Sequence, residues 1–153
     1  MKYLLFFLAI VIVSACANMK ANKPHVEVMN AYSQKWFGGA AGSGYGTNYT
    51  FKLKKNTSES ISFDTIWIQE RAYIPEMQNI TNPGAAPDSG DEFYLKMQYR
   101  YRDNEYTGEV SESPPKSDGP AYEGDALIIY RMNGERKTIV VKQMNVEEPL
   151  FYP

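Results

Sequence analysis

The stretch "FYLKMQYRY", residues 93–101, decides the fold class. Its side chains alternate in character at every position. One face is apolar or aromatic and carries Phe93, Leu95, Met97, Tyr99 and Tyr101. The opposite face, extended by one residue, is more polar and carries Tyr94, Lys96, Gln98, Arg100 and Arg102. A period of two sustained over this length predicts a β-strand with one buried face.

Further strands are predicted on both sides of this stretch. The segment "YTFKLKK", residues 49–55, repeats the alternation and directs its aromatic and leucine side chains inward. The segment "ISFDTIWIQ", residues 61–69, is rich in β-branched and aromatic residues, and we expect Trp67 in the core, in phase with Ile61 and Phe63. A poorer pattern, "VEVMNAYSQKWF" at 26–37, is a plausible first strand.

A hairpin is predicted near the C-terminus. The segments "ALIIYRM" (126–132) and "KTIVVKQM" (137–144) flank Asn133-Gly134, a pair typical of a type I′ turn because both positions need φ > 0. No stretch shows a helical period with caps. Six strands separated by turn residues predict an all-β fold, a single antiparallel β-sandwich (immunoglobulin-like or related) of about six to eight strands.

Two long connections interrupt the predicted strands. Residues 74–90 and 103–123 each hold three prolines. Connections of this length are usually functional or disordered. If successive strands alternate in direction, the Gly-rich loop 38–47, the loop 74–90 and the Asn133-Gly134 turn share one end of the domain. Loop 103–123 then lies at the other end, near residues 55–60.

The N-terminus predicts export. Lys2 precedes an apolar run of ten residues, which is too short for a bilayer span of roughly 20 and is typical of a signal peptide. The exit "VSAC", residues 13–16, resembles the bacterial lipobox. That resemblance implies cleavage before Cys16, lipid on its sulfur and amine, and anchoring in the bilayer. Ala17, which follows the cysteine, favours the outer membrane by the same resemblance. The alternative is an ordinary signal-peptidase site at Ala15-Cys16-Ala17, which releases a soluble protein.

The resulting organisation is a signal peptide at 1–15, a lipidated tether at 16–24 and a β-sandwich domain at 25–153. The mature chain of 138 residues carries 15 basic and 18 acidic side chains, so its net charge is −3 and no nucleic-acid partner is expected. With Cys16 lipidated, no cysteine remains for a disulfide. With the lipobox, the Tyr-rich domain and the ending "PLFYP", the chain loosely resembles small uncharacterised lipoproteins of Bacteroidota.

The sequence holds no catalytic, metal-binding or cofactor-binding motif. The Gly-rich stretch 38–46 opens a strand rather than a helix, so it indicates a hairpin loop instead of a phosphate cradle. His25 is the only histidine, which excludes a His-cluster metal site, and its position before the first strand argues against a catalytic role. The acidic run 88–92 departs from the EF-hand calcium-loop pattern.

We therefore expect a non-enzymatic envelope lipoprotein with a binding or structural role and an envelope protein or glycan as partner. Trp36, Phe37 and Tyr45 flank the Gly-rich loop and are the candidate ligand-binding residues. One alternative is a carbohydrate-binding surface module that uses these three residues. The other is a hydrolase with acidic catalytic residues, since two carboxylates from separate loops can meet in the fold.

Overall fold

The computed structural model describes residues 23–40, 43–101 and 114–153, and within these ranges the chain is a sandwich of two β-sheets. Its strands are β1 (Val26–Phe37), β2 (Tyr45–Lys55), β3 (Ile61–Ile68), β4 (Arg71–Tyr73), β5 (Glu76–Asn79), β6 (Glu92–Tyr101), β7 (Ala126–Met132), β8 (Glu135–Val141) and β9 (Asn145–Phe151). The predicted β-sandwich is confirmed. The predicted signal peptide and Cys16 lie outside the described residues. Within them, no helix is long and apolar enough to cross a bilayer.

The two sheets contain five and four strands. The five-stranded sheet has the order β5-β6-β2-β1-β9, and the four-stranded sheet has the order β4-β3-β7-β8. Paired strands are antiparallel except β1 and β9, which run parallel. The short strands β4 and β5 and the C-terminal strand β9 bring the number in the described ranges to nine, beyond the six to eight predicted.

The core lies between the sheets and follows the predicted alternation. Fully buried side chains come from both layers: Phe51, Leu53, Phe93 and Leu95 from one, and Ile66, Ile68 and Ile128 from the other. In the five-stranded sheet the inward residues of β2 and β6 lie directly opposite one another. Phe51, for example, pairs with Leu95. Burying these large apolar side chains is the main source of stability in a domain without disulfides.

The prediction that Trp67 belongs to the core is wrong. The register of β3 against β7 shifts between Phe63 and Thr65. This irregularity reverses the alternation, because one extra residue moves every following side chain to the opposite face. Phe63 therefore packs on the core, whereas Ile66 and Ile68 replace Trp67 as the inward residues further along. Trp67 lies half-buried on the outer face of the four-stranded sheet.

The predicted C-terminal hairpin is confirmed. Met132 pairs with Glu135, which leaves Asn133 and Gly134 as a two-residue turn. Their φ angles are 52° and 81°, so both adopt the left-handed conformation that a type I′ turn requires. The Asn133 side chain donates a 2.7 Å hydrogen bond to Glu59, which places this turn beside the β2–β3 connection.

The predicted distribution of loops between the two ends is wrong. Gly90 N donates to Lys55 O at 2.7 Å, and the buried Lys55 Nζ donates to Pro87 O at 2.9 Å. The loop after β5 therefore lies at the Lys55 end of β2, opposite the Gly-rich loop. Residue 101, where the second long connection begins, pairs with Tyr45 at the Gly-rich end. The short strands β4 and β5 within residues 71–79 run in the same direction and add one reversal between β3 and β6, which exchanges the ends of all later loops.

Candidate functional site

The three candidate residues lie at the β1–β2 hairpin end but on two different faces. Phe37 and Tyr45 pair directly across β1 and β2, so their side chains share the inner face of the five-stranded sheet. Trp36 precedes Phe37 in the same strand and points to the outer face. Phe37 and Tyr45 are exposed, as predicted, whereas Trp36 is only 5% exposed.

Trp36 is therefore a packing residue, and its expected exposure is corrected. Its indole lies over Gly46, where an added Cβ would come within 2.7 Å of the indole Nε1 and 2.0 Å of Tyr99 O. The Arg100 guanidinium stands 5.8 Å from the indole ring, and the Tyr152 ring meets it edge-on at 6.3 Å. Because Gly46 has no side chain, there is a groove above its backbone, and the Trp36 indole is buried in this groove.

Phe37 and Tyr45 belong to a larger set, which we call the aromatic ladder: Phe151, Phe37, Tyr45 and Tyr101. The backbone register places these four residues side by side on β9, β1, β2 and β6. Successive ring centroids are separated by 5.3, 6.5 and 4.9 Å. The ladder therefore crosses four neighbouring strands, with ring separations from 4.9 to 6.5 Å that equal or exceed the usual strand spacing of about 4.7–4.9 Å.

The ladder is accessible because the four-stranded sheet does not cover it. The next row inward contains Thr47 and Tyr99, and the Arg71 guanidinium of β4 lies 5.1 Å above the Tyr99 ring. One row further in, Tyr49 is buried against Tyr73 of β4, with ring centroids 5.7 Å apart. On the inner face of the five-stranded sheet, the ladder is therefore the first row of residues beyond the edge of the four-stranded sheet.

Neighbouring rings of the ladder are near-parallel to moderately tilted relative to one another. Interplanar angles are 13° between Phe37 and Phe151, 28° between Phe37 and Tyr45, and 36° between Tyr45 and Tyr101. Phe37 is 38% exposed and Tyr45 is 47% exposed, so both rings are partly accessible along the row. Phe151, on the edge strand and 76% exposed, also presents a broad apolar surface at the end of the ladder.

A cavity of about 250 Å³, which we call the Arg71 cavity, adjoins the ladder. Its lining is phenolic, cationic and polar: Thr47, Tyr49, Gln69, Arg71, Tyr73, Tyr99 and Lys116. Burial raises the pKa of the Tyr49 and Tyr73 hydroxyls above their usual value. Both phenols are therefore neutral at physiological pH, and each hydroxyl can donate and accept a hydrogen bond.

A strained turn forms one side of this cavity. Gln69 and Glu70 connect β3 to β4 with φ angles of 49° and 64°, although neither is glycine or asparagine. Segment 114–117 holds the turn: Ser117 N donates to Glu70 O at 2.9 Å, and Lys116 Nζ pairs with the Glu70 carboxylate at 2.9 Å. Because Ile68 pairs with Arg71, these residues form the two-residue turn of the β3–β4 hairpin, and a type I′ turn requires φ > 0 at both positions.

A second and larger cavity, of about 510 Å³, lies on the other side of the same turn. Trp67, Tyr122 and Gly119 form part of its wall, and an added Cβ at Gly119 would meet the Trp67 ring at 2.5 Å. The Tyr122 hydroxyl donates to Trp67 O at 3.1 Å, and Asp125 accepts from Met144 N at 2.7 Å. These polar groups connect β3, segment 119–125 and the start of β9.

The described ranges contain no group of three or more His, Cys, Asp or Glu side chains arranged to hold a metal ion. Comparison of the chain with protein-family models, with curated protein sequences and with solved structures finds no match. The candidate site is therefore defined by its own geometry, which combines the aromatic ladder with the Arg71 cavity.

Sequence reasoning found two members of the ladder and missed the rest of the site. Tyr101 was placed on the inward face of its strand, but its neighbour across the sheet was unknown. Phe151 was missed because "NVEEPLF" has no strand alternation and pairs through a parallel contact from the far end of the chain. The Gln69-Glu70 turn carries none of the usual turn residues, so Arg71 had no signal.

Proposed function

We propose that this protein is a membrane-anchored envelope lipoprotein with a non-enzymatic binding role, and that the aromatic ladder is its binding surface. The lipobox-like sequence at 13–16 supports the anchor. The observation that carries the binding role is the alignment of four aromatic rings on an accessible row of the sheet.

The ladder has the composition and support of a recognition surface. Aromatic residues are enriched where proteins bind partners, because they bury a large area with little loss of side-chain freedom. Here the rings are carried by four hydrogen-bonded strands rather than by a loose loop. A rigid backbone of this kind keeps the rings in place before the partner arrives, which lowers the entropic cost of binding.

The proposed anchor and the ladder lie at opposite ends of β1. The tether at 16–24 leads into Val26, the first residue of β1, and the ladder residue Phe37 is the last residue of the same strand. Eleven steps of about 3.3 Å separate them, or roughly 36 Å. If lipid is attached at Cys16, the tether enters the domain at the opposite end of β1 from the ladder.

A carbohydrate-binding surface module is the second candidate, and the geometry at the end of the ladder favours it. The exposed surface of Phe151 offers a platform for the apolar side of a sugar ring. Tyr45 and Tyr101 add phenolic hydroxyls for hydrogen bonds to sugar hydroxyls. This candidate keeps Phe37 and Tyr45 from the sequence-based prediction and replaces Trp36 with Phe151 and Tyr101.

Site-specific photo-crosslinking in intact cells tests the binding role. A benzophenone amino acid at position 151 is expected to form a discrete adduct with an envelope component, and one at Ile80 is not. Ile80 is a suitable control because it is also exposed and apolar but lies in the loop after β5. Equal adducts from both positions, or none from position 151, would show that the ladder is not a binding surface.

A glycan array separates the two candidates. If the ligand is a carbohydrate, Tyr45→Ala and Phe151→Ala are expected to weaken array binding at least tenfold, whereas Ile80→Ala is expected to have no effect. A protein adduct at position 151 without glycan binding would favour the first candidate over the second.

A further inference from the structure

The strongest electrostatic feature beside the ladder is the charge of Arg71. Its side chain is half-buried, lies against the Tyr99 ring and donates one hydrogen bond to Pro114 O. Among the residues that the structure describes, no carboxylate forms an ion pair with it. A guanidinium has five N–H donors, and the bond to Pro114 O engages one of them among the described residues.

Within residues 23–40, 43–101 and 114–153, the groups around Arg71 do not compensate this charge. Lys116, the other cation of the cavity, is paired with Glu70 at 2.9 Å, so that pair is neutral overall. Lys35 lies opposite Thr47 in the same inner row and has no ion-pair partner in the described part of the chain. A partly buried cation without a counter-ion is costly, and an anion entering the cavity would remove that cost.

We propose that the Arg71 cavity binds the carboxylate of a sugar acid. The inference deepens the proposed function and rests on it, because it assigns a ligand class to the carbohydrate-binding candidate. Arginine recognises a carboxylate through two parallel N–H···O bonds. The Gln69 amide and the Tyr99 hydroxyl supply donors and acceptors for sugar hydroxyls. The Tyr49 hydroxyl, hydrogen-bonded to Thr47 and Tyr73, holds the rest of the polar lining in place.

The size of the cavity fits one sugar residue rather than a longer ligand. Its volume of about 250 Å³ is below the roughly 300–1,000 Å³ of pockets that enclose a drug-sized molecule. The remainder of a longer glycan would lie on the ladder. Thr47 and Tyr99 of the cavity are two positions from Tyr45 and Tyr101 on the same strands, or about 7 Å along the sheet.

The lining favours a sugar acid over the carboxylate of a peptide. Peptide termini are commonly captured by clustered backbone N–H groups. The side chains named for this cavity instead present hydroxyl, amide and guanidinium groups between aromatic walls. Such walls suit the hydroxylated rim and the apolar face of a pyranose ring.

Titration of the full-length protein in detergent, followed by NMR chemical shifts, tests the proposal with three probes. Sodium glucuronate is expected to bind, glucose is expected to bind at least tenfold more weakly, and N-acetyl-glycylglycine is expected to bind no better than glucose. Equal binding of glucuronate and glucose would overturn the role of the charge. Tighter binding of the peptide acid would overturn the choice of a sugar.

Two variants assign the binding to this cavity. Arg71→Gln is expected to weaken glucuronate binding at least tenfold, whereas Arg131→Gln, which removes an arginine that pairs with Asp64 on the other end of the four-stranded sheet, is expected to leave it unchanged. Because Arg71 also supports segment 114–117, Gln69→Gly provides a second test. It removes the amide and relieves a positive φ, so binding should weaken while the melting temperature does not fall.

The ladder variant Phe151→Ala keeps this proposal distinct from the proposed function. It is expected to weaken binding of a glucuronate-containing oligosaccharide by a larger factor than it weakens binding of the monosaccharide. If glucuronate fails to bind but crosslinking at position 151 persists, the cavity assignment is wrong and the binding role of the ladder stands.

Discussion

Trp36→Ala separates a structural role for Trp36 from the ligand-binding role that its position in the sequence predicts. The indole is 5% exposed and lies between the Gly46 backbone, the Arg100 guanidinium and the Tyr152 ring. A side chain packed in this way contributes to the stability of the sheet. Its removal should lower the free energy of unfolding without removing a contact to any ligand on the ladder.

The magnitude follows from the buried area. A buried tryptophan removes about 150–250 Å² from water. At about 25 cal/mol per Å², this corresponds to about 4–6 kcal/mol. A compact unfolded state already buries part of that area, so the expected loss is about 3–5 kcal/mol, the same as the usual cost of Trp→Ala in a core.

Equilibrium urea unfolding is the appropriate assay. Trp67, the other tryptophan, reports fluorescence in both proteins. A loss of 3 kcal/mol or more lowers the urea midpoint by roughly 1 M or more. Two matched variants accompany the measurement. Phe151→Ala, at an exposed ring, should change stability by less than about 0.5 kcal/mol. Trp36→Phe keeps most of the packing and removes an indole N–H that has no acceptor among the described residues, so it should cost less than Trp36→Ala.

If Trp36→Ala lowers stability by less than about 1 kcal/mol and weakens ligand binding more than Phe151→Ala does, the indole contacts the ligand. The original prediction of a binding role for Trp36 would then be right, and the structural role assigned to it here would be wrong.

Three other predictions concern the turn, the buried phenols and the anchor. Gly134→Val should cost on the order of 1 kcal/mol or more, because φ is 81° there, whereas Gly134→Asn should cost less; an unchanged thermal melt for the valine variant would contradict this. Burial raises the pKa of Tyr73 in the folded state, so this phenol ionises at lower pH in the unfolded chain than in the folded protein. The contribution of Tyr73 to stability should therefore be constant from about pH 7 to 9 and should fall above about pH 10. The fall should be shallower in Tyr73→Phe, and an equal slope in both proteins would show that other groups cause it. Cys16→Ser should abolish incorporation of labelled palmitate, and labelling of the serine variant would refute lipidation at this residue.

The position of a strand, and which of its faces is buried, were predictable where the strand pairs with its neighbours without a register shift. The alternation in residues 93–101 placed Phe93, Leu95 and Met97 inward, and all three are buried. Asn133-Gly134 was predictable because the turn depends on local backbone conformation alone. Phe37 and Tyr45 were predictable as exposed aromatics because they flank a hairpin loop, and loops usually lie at the surface.

The candidate site depended on contacts between distant parts of the chain. The irregularity in β3 moved Trp67 out of the core, and no local signal marks it. The strands β4 and β5 changed which loops share an end, because they run in the same direction and together add a single reversal of the chain. Phe151 joined Phe37 only because the last strand pairs in parallel with the first.

The sequence by itself therefore determined the β-sandwich class, the inward faces of its long strands and the C-terminal hairpin, since these follow from periodicity and local backbone preference. Tertiary structure alone decided that Trp36 is buried, that four aromatic side chains form one row, and that Arg71 lies beside them without a carboxylate partner among the described residues. The physical reason is that side chains distant in the chain become neighbours through strand register, which only the assembled sheets specify.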